Sequence, residues 1–185
     1  MGKYDINKYK KIVNADAIYL DTCVFVKIDA KEEMGSNFSR ALVYFSEIPI
    51  YSSFVAFGEF ISVVVKKDFQ KSAGTDGFLF VVRQLMMDFD KNKIKRIEPI
   101  EDKFKFVQLS QKLLEKHSRL GGGDVWHIMA ALNLKNQIPN MAFVSFDAKL
   151  VKAANTQGLT AIDGNGLDPN HLSEELQNAG KFIGK

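Results

Sequence analysis

Cysteine is almost absent from this chain of 185 residues, where Cys23 stands alone. One thiol cannot close an intramolecular disulfide and excludes any metal site built on several cysteines, so a reducing cytosol is the expected setting. Histidine is scarce as well, with three residues. No second His or Cys stands at ligand spacing from His127, which is therefore expected to pack or bond locally rather than hold a metal. Long apolar runs are lacking too. The longest, from Phe54 to Val65, is interrupted by Gly58, Glu59 and Ser62, and a bilayer crossing needs about 20 apolar residues. The first residues are rich in Lys and Tyr and carry no apolar leader, so neither secretion nor membrane insertion is expected. Repeats and low-complexity segments are missing. What remains is the composition of one globular domain, 46% hydrophobic and 25% charged, long enough to bury a sizeable core. The net charge of +3 suits a polyanionic partner without requiring one.

Short apolar runs alternate with helical patterns along the chain. Residues 1–16 place Tyr4, Ile6, Tyr9, Ile12 and Val13 among lysines, the spacing of an amphipathic helix. Ala17 to Leu20 read as a buried first strand. Val24 to Ile28 and an acidic turn then lead to a helix with Ser36 as its expected cap and Phe38, Leu42, Val43 and Phe45 on its apolar face. Ile48 to Tyr51 form a second strand, and Phe54 to Val65 a helix that is apolar almost all round and should be largely buried. A further helix spans Phe78 to Phe89. A third strand near Ile94 to Ile97 follows the basic run from Lys91 to Arg96. The helix from Asp102 to His117 leads to Gly121-Gly122-Gly123, after which Asp124 opens another, with Trp126 as a packing anchor. Met141 to Phe146 and Leu159 to Ile162 are the fourth and fifth strands, separated by a helix from Ala148 to Thr156. Asp163 reads as a turn residue, and residues 164–185 as a tail with a short surface helix. Strands alternating with helices define an α/β class, a three-layer α/β/α sandwich around a central, mostly parallel five-stranded sheet. The division is an extension at 1–16, a main α/β domain at 17–163 and the tail.

Four acids stand out in this frame. Asp21 and Asp147 each follow a strand directly, where the carboxyl ends of parallel strands border a ligand crevice. Asp124 sits at a helix start behind three glycines. Capping accounts for any one of these. It cannot account for Glu59, the single charge inside an apolar helix, which must be relieved by a partner, a cation or a proton. If all four converge on one rim, their repulsion calls for a cation. Oxygen donors without His or Cys favour Mg²⁺ or Mn²⁺ over zinc, and with such ions a phosphodiester substrate. Arg40, Lys66, Lys67, Arg96 and Arg119 are candidates for steering such a polyanionic substrate. An aspartyl-nucleophile phosphatase would want an acid two residues beyond Asp21, where Cys23 stands.

The segments Ile18-Tyr19-Leu20-Asp21-Thr22-Cys23, Ser53 through Glu59-Phe60, Gly123-Asp124 through Ala131, and Phe143 through Asp147 to Leu150 together resemble PIN domains, and among them the VapC-type toxin ribonucleases. The resemblance implies that Asp21, Glu59, Asp124 and Asp147 form the catalytic metal site. It also places Thr22 and Ser145 where small hydroxyl residues bond substrate or a ligand carboxylate. It further implies a Mg²⁺- or Mn²⁺-dependent endoribonuclease, so that the polyanion to be steered is RNA, together with a homodimer and a cognate antitoxin protein. The alternatives are an RNA-processing nuclease that is not a toxin and a module that binds RNA or protein without cutting. The N-terminal extension, the longer intervals before Glu59 and Asp124, and Cys23 at a position where Asn is frequent depart from the compact toxins.

Overall fold

A computed structural model of the chain describes residues 5–29, 33–71 and 75–183. Five strands form one sheet: β1 (Ala17–Leu20), β2 (Ile50–Ser52), β3 (Ile94–Arg96), β4 (Met141–Ser145) and β5 (Thr160–Asp163). They lie in the order β3-β2-β1-β4-β5, and every pairing is parallel. The expected three-layer α/β/α architecture is thus present, with a sheet that is parallel throughout rather than mostly so.

The helices are α1 (Ile6–Val13), α2 (Thr22–Asp29), α3 (Glu33–Phe45), α4 (Phe54–Lys71), α5 (Thr75–Asp90), α6 (Lys103–Lys116), α7 (Gly122–Gln137), α8 (Ala148–Thr156) and α9 (Pro169–Asn178). Side chains alternate across a strand, and β1 divides accordingly. Ile18 and Leu20 join a core with residues of α1 to α5 and α9, while Ala17 and Tyr19 join a second core with residues of α6 to α8. The chain builds β2 and β3 to one side of β1, then crosses to place β4 and β5 on the other. Right-handed crossovers in opposite directions put their helices on opposite faces, which is the partition observed. The reversal between β1 and β4 is a topological switch point, where the crevice beyond the strand ends receives ligands.

Several expectations are corrected. The stretch after Asp21 is helix α2 from Thr22 onward, because the Asp21 side chain caps it through the backbone N–H of Cys23 at 3.1 Å. Ser36 lies within α3 rather than ahead of it. Helix α4 is not largely buried. Ala56, Phe60 and Val64 make a single buried stripe, since a helix lying on a sheet hides only one face, and Phe54 is exposed. The tail helix is no surface appendage: Leu172 and Leu176 of α9 are fully buried in the larger core. Tyr9 of α1 accepts a 2.7 Å bond from the Asp168 N–H, and Lys181 Nζ donates to the Val13 carbonyl at 2.8 Å, so both ends of the chain close over the same face. Asp163, expected as a turn residue, is the last residue of β5 and pairs with Ser145 of β4, while its side chain accepts from the Asn165 N–H at 2.9 Å where the chain turns. Among the described residues no helix is long and apolar enough to cross a membrane.

Burial of the tail makes a prediction. Leu172→Ala should lower the unfolding free energy by ~3 kcal/mol, as cavity-forming core substitutions do, in a urea titration. A change within ~0.5 kcal/mol, the range of surface substitutions, would show that α9 contributes nothing to the core.

Candidate metal site at the switch point

Asp21 leaves β1 directly into the switch point and is 3% exposed. Its carboxylate takes three donors. Ser145, the last residue of β4, donates through Oγ to Oδ2 at 2.7 Å, and Cys23 donates through its N–H and its thiol to Oδ1 at 3.1 and 2.7 Å. The Cys23 sulfur in turn accepts from the Phe146 N–H at 2.9 Å, and the Ser145 hydroxyl accepts from the Asp147 N–H at 2.8 Å. One carboxylate thereby ties the end of β1 to the end of β4. Burial pushes the Asp21 carboxyl above its usual range despite these donors, and both burial and the adjoining Asp21 charge push the Cys23 thiol up.

The other three acids face the same crevice. Asp21, Glu59, Asp124 and Asp147 line one cleft of about 390 Å³ together with Thr22, Cys23, Val26, Ser62, Val63 and His127. No lysine or arginine is among the described residues that line it. Glu59 reaches over from α4 with its side chain 37% exposed. The Thr22 hydroxyl donates to its Oε2, and His127 Nε2 lies 3.1 Å from the same oxygen. Burial raises the Glu59 carboxyl, but the bonds from His127 and Thr22 outweigh it and hold the group below its usual range. Asp124 reaches back to the Gly121 N–H at 2.7 Å and is raised by partial burial and by repulsion from Asp147 and Glu59. Asp147 caps α8 through the N–H groups of Lys149 and Leu150 at 2.7 and 3.3 Å. Gly123 has a specific reason to be glycine. A Cβ there would sit 1.7 Å from Glu59 Oε1, so only a bare Cα lets the Glu59 carboxylate rest against the start of α7.

No three His, Cys, Asp or Glu side chains among the described residues stand close enough together to hold a metal ion as placed. Each acid is instead satisfied by protein donors. The donor set nevertheless fits a hard divalent cation. Four carboxylates share one cleft without a lysine or arginine among its described lining residues, and two of them are raised by burial, as expected of carboxylates whose countercharge comes from outside the protein.

The remaining candidates divide. Thr22 and Ser145 bond the acids themselves. Lys66 is exposed on α4, seven residues and so about two turns from Glu59 on the same helix face. Arg119 is exposed in the loop before α7. Arg96 is engaged elsewhere, paired with Glu98 at 2.7 Å and lying 5.0 Å from the Phe54 ring centre. Arg40 lines a separate groove with Phe25, Tyr44 and Asp88, away from the acids. The side chain of Lys67 lies outside the described residues. Trp126 packs edge-on against Phe106 and donates to Glu98 at 3.1 Å. His127, expected to pack or bond locally, instead meets Tyr19, Thr22 and Glu59 from three other elements and stands in the wall of the acidic cleft, and Cys23 enters the site as a donor to Asp21. Neither role was anticipated. The only signal for Cys23 was its position two residues after Asp21.

A chain from the 2.2 Å structure of VapBC-1 from nontypeable Haemophilus influenzae is similar to this protein, with a TM-score of 0.54 and 16% identity over 80% of this chain and 98% of that one. At that identity the likeness establishes the fold. No protein-family model matches the chain, and no curated protein matches it.

The buried charge of Asp21 should be visible in stability. A carboxyl raised in the folded state favours folding below its unfolded pKa, and that contribution is lost as pH rises through the raised folded value. Asp21→Asn should therefore stabilise the metal-free protein near neutral pH by ~1 kcal/mol, a typical gain when a strained functional group is relieved. The advantage should shrink as pH falls toward 4, because the parental carboxyl is then protonated as well. Thermal melts across this range test it, and an advantage that grows toward acid would contradict the assignment. Gly123→Ala should cost ~1–2 kcal/mol in a denaturant titration, as overpacking does, by driving Glu59 from its seat. A neutral result would show that Glu59 does not rest there.

Proposed function

We propose that this protein is a divalent-metal-dependent endoribonuclease that serves as the toxin of a toxin–antitoxin pair. The observation that carries the reading is the cleft at the switch point, where all four acids singled out in the sequence line one crevice with no lysine or arginine among its described lining residues. The fold shared with VapBC-1 supports the toxin role and a protein antitoxin as partner. Asp21, Glu59, Asp124 and Asp147 would hold Mg²⁺ or Mn²⁺. When bound, the ion supplies the Lewis acidity that phosphodiester hydrolysis requires.

The chain's own residues set the stage for that chemistry. Ser145 and Cys23 fix the Asp21 carboxylate, and Thr22 with His127 fixes Glu59, so the acids are preorganised rather than free to swing. The open side of the cleft leaves room for an extended polynucleotide backbone. Lys66 on α4 and Arg119 before α7 supply positive charge beside an acidic crevice that would otherwise repel phosphates. An RNA-processing nuclease without an antitoxin would use the same residues.

Asp21→Asn and Asp147→Asn are each expected to lower the rate of Mn²⁺-dependent cleavage of a fluorophore-labelled RNA by at least ~100-fold, the cost of removing one electrostatic group from an active site, with unchanged circular dichroism. Expression of the parental protein should arrest growth and that of Asp21→Asn should not. Cleavage by a folded Asp21→Asn variant at the parental rate would overturn the assignment. RNA cleavage without growth arrest would leave a nuclease that is not a toxin.

A further inference from the structure

The hydrogen bonds behind Glu59 extend into the second core. Tyr19 is fully buried on β1, its ring stacked on Phe143 with centres 5.5 Å apart, and its hydroxyl lies 2.8 Å from His127 Nδ1. His127 is 2% exposed. Its other nitrogen, Nε2, lies 3.1 Å from Glu59 Oε2 and 3.0 Å from the Thr22 hydroxyl oxygen. Four residues from β1, α2, α4 and α7 thus form one chain that ends on a single carboxylate oxygen.

Proton placement along this chain follows from which atoms can donate. The Tyr19 hydroxyl lies 2.8 Å from Nδ1 and can donate to it. A neutral imidazole that accepts at Nδ1 carries its hydrogen on Nε2, and Nε2–H then donates to Glu59 Oε2. The opposite tautomer would set the bare Nε2 lone pair 3.1 Å from a carboxylate oxygen, two acceptors facing each other with no hydrogen between them. The Thr22 hydroxyl donates to the same Oε2. Among the described residues none donates to Oε1, the oxygen that lies against Gly123. Two donors on one oxygen and none on the other orient the group: Oε2 is held by the protein and Oε1 is left for a ligand.

We propose that the buried Tyr19–His127 pair sets the imidazole tautomer so that His127 holds one oxygen of Glu59 and leaves the other for the cation in the cleft. The inference rests on the reading of the cleft as a metal site. Tyr19 and His127 act here as positioning residues, through Glu59 and not on the substrate.

Two measurements test this, one of them free of metal. Nitrogen-15 NMR of the metal-free parental protein at neutral pH should show the His127 ring neutral with its hydrogen on Nε2. Tyr19→Phe keeps the ring stacked on Phe143 but removes the donor, and should shift the ring toward the Nδ1–H form. Calorimetric titration with Mn²⁺ should then show Tyr19→Phe binding about tenfold more weakly than the parental protein, the low end of what partners behind metal ligands contribute. His127→Gln keeps an N–H that can reach Glu59 but has no tautomer to set, so Tyr19→Phe should cost nothing further in that background. A parental ring that carries its hydrogen on Nδ1, or is doubly protonated, overturns the inference even if Tyr19→Phe fails to fold. Undiminished Mn²⁺ affinity in a folded Tyr19→Phe variant overturns it as well. A parental protein that binds no Mn²⁺ overturns both the inference and the metal-site reading beneath it, whereas Mn²⁺ binding with the wrong tautomer overturns the inference alone.

Discussion

The Asp21 carboxylate, almost wholly withdrawn from water at the point where the strand order reverses, is the constraint around which the site is arranged. Burying such a charge is costly unless donors compensate it, and the chain supplies them from both sides of the reversal. Ser145 at the end of β4 and Cys23 at the start of α2 both donate to it, so compensating the charge and joining the two halves of the sheet are one set of bonds. The compensation is incomplete, since burial still holds the carboxyl above its usual range. A fold selected for stability alone would place an amide there. Retaining the acid is the kind of local strain that functional sites keep and the surrounding structure tolerates.

The other acids are held by the same economy of local donors. Asp147 uses the exposed N–H groups at the start of α8, Asp124 uses Gly121, and Glu59 uses Thr22 and His127. Capping and ligation are therefore not competing explanations for these residues. A helix start offers donors that steady a carboxylate while its second oxygen faces the crevice. Glu59, which no helix start caps from its own element, is steadied by the long-range contacts and by the bare Cα of Gly123.

The sheet was legible because most of its strands are short apolar runs bounded by an acid or a glycine, as β1 is by Asp21 and β5 by Gly158. The four acids were legible because each breaks a local pattern. Helix α2 was not, since Val24-Phe25-Val26 is too short an apolar run to show a helical period, and the start of the helix is seen only with the Asp21 cap. The exposure of Phe54 was hidden because hydrophobic character all round a helix does not say which side meets the sheet. Burial of Leu172 and Leu176 depends on a face left open by α1 and α3, which no pattern in the tail records. The partners of His127 were not legible, because Tyr19 lies 108 positions away and only the parallel pairing of β1 with β4 brings α7 over that ring.

Diffraction at the manganese absorption edge from crystals grown with Mn²⁺ tests the central claim most directly. The account predicts an anomalous peak in the cleft, with carboxylate oxygens of Asp21 and at least two of Glu59, Asp124 and Asp147 at about 2.0–2.2 Å. A cleft without a peak at saturating Mn²⁺, with all four acids still bonded only to their protein donors, would contradict it.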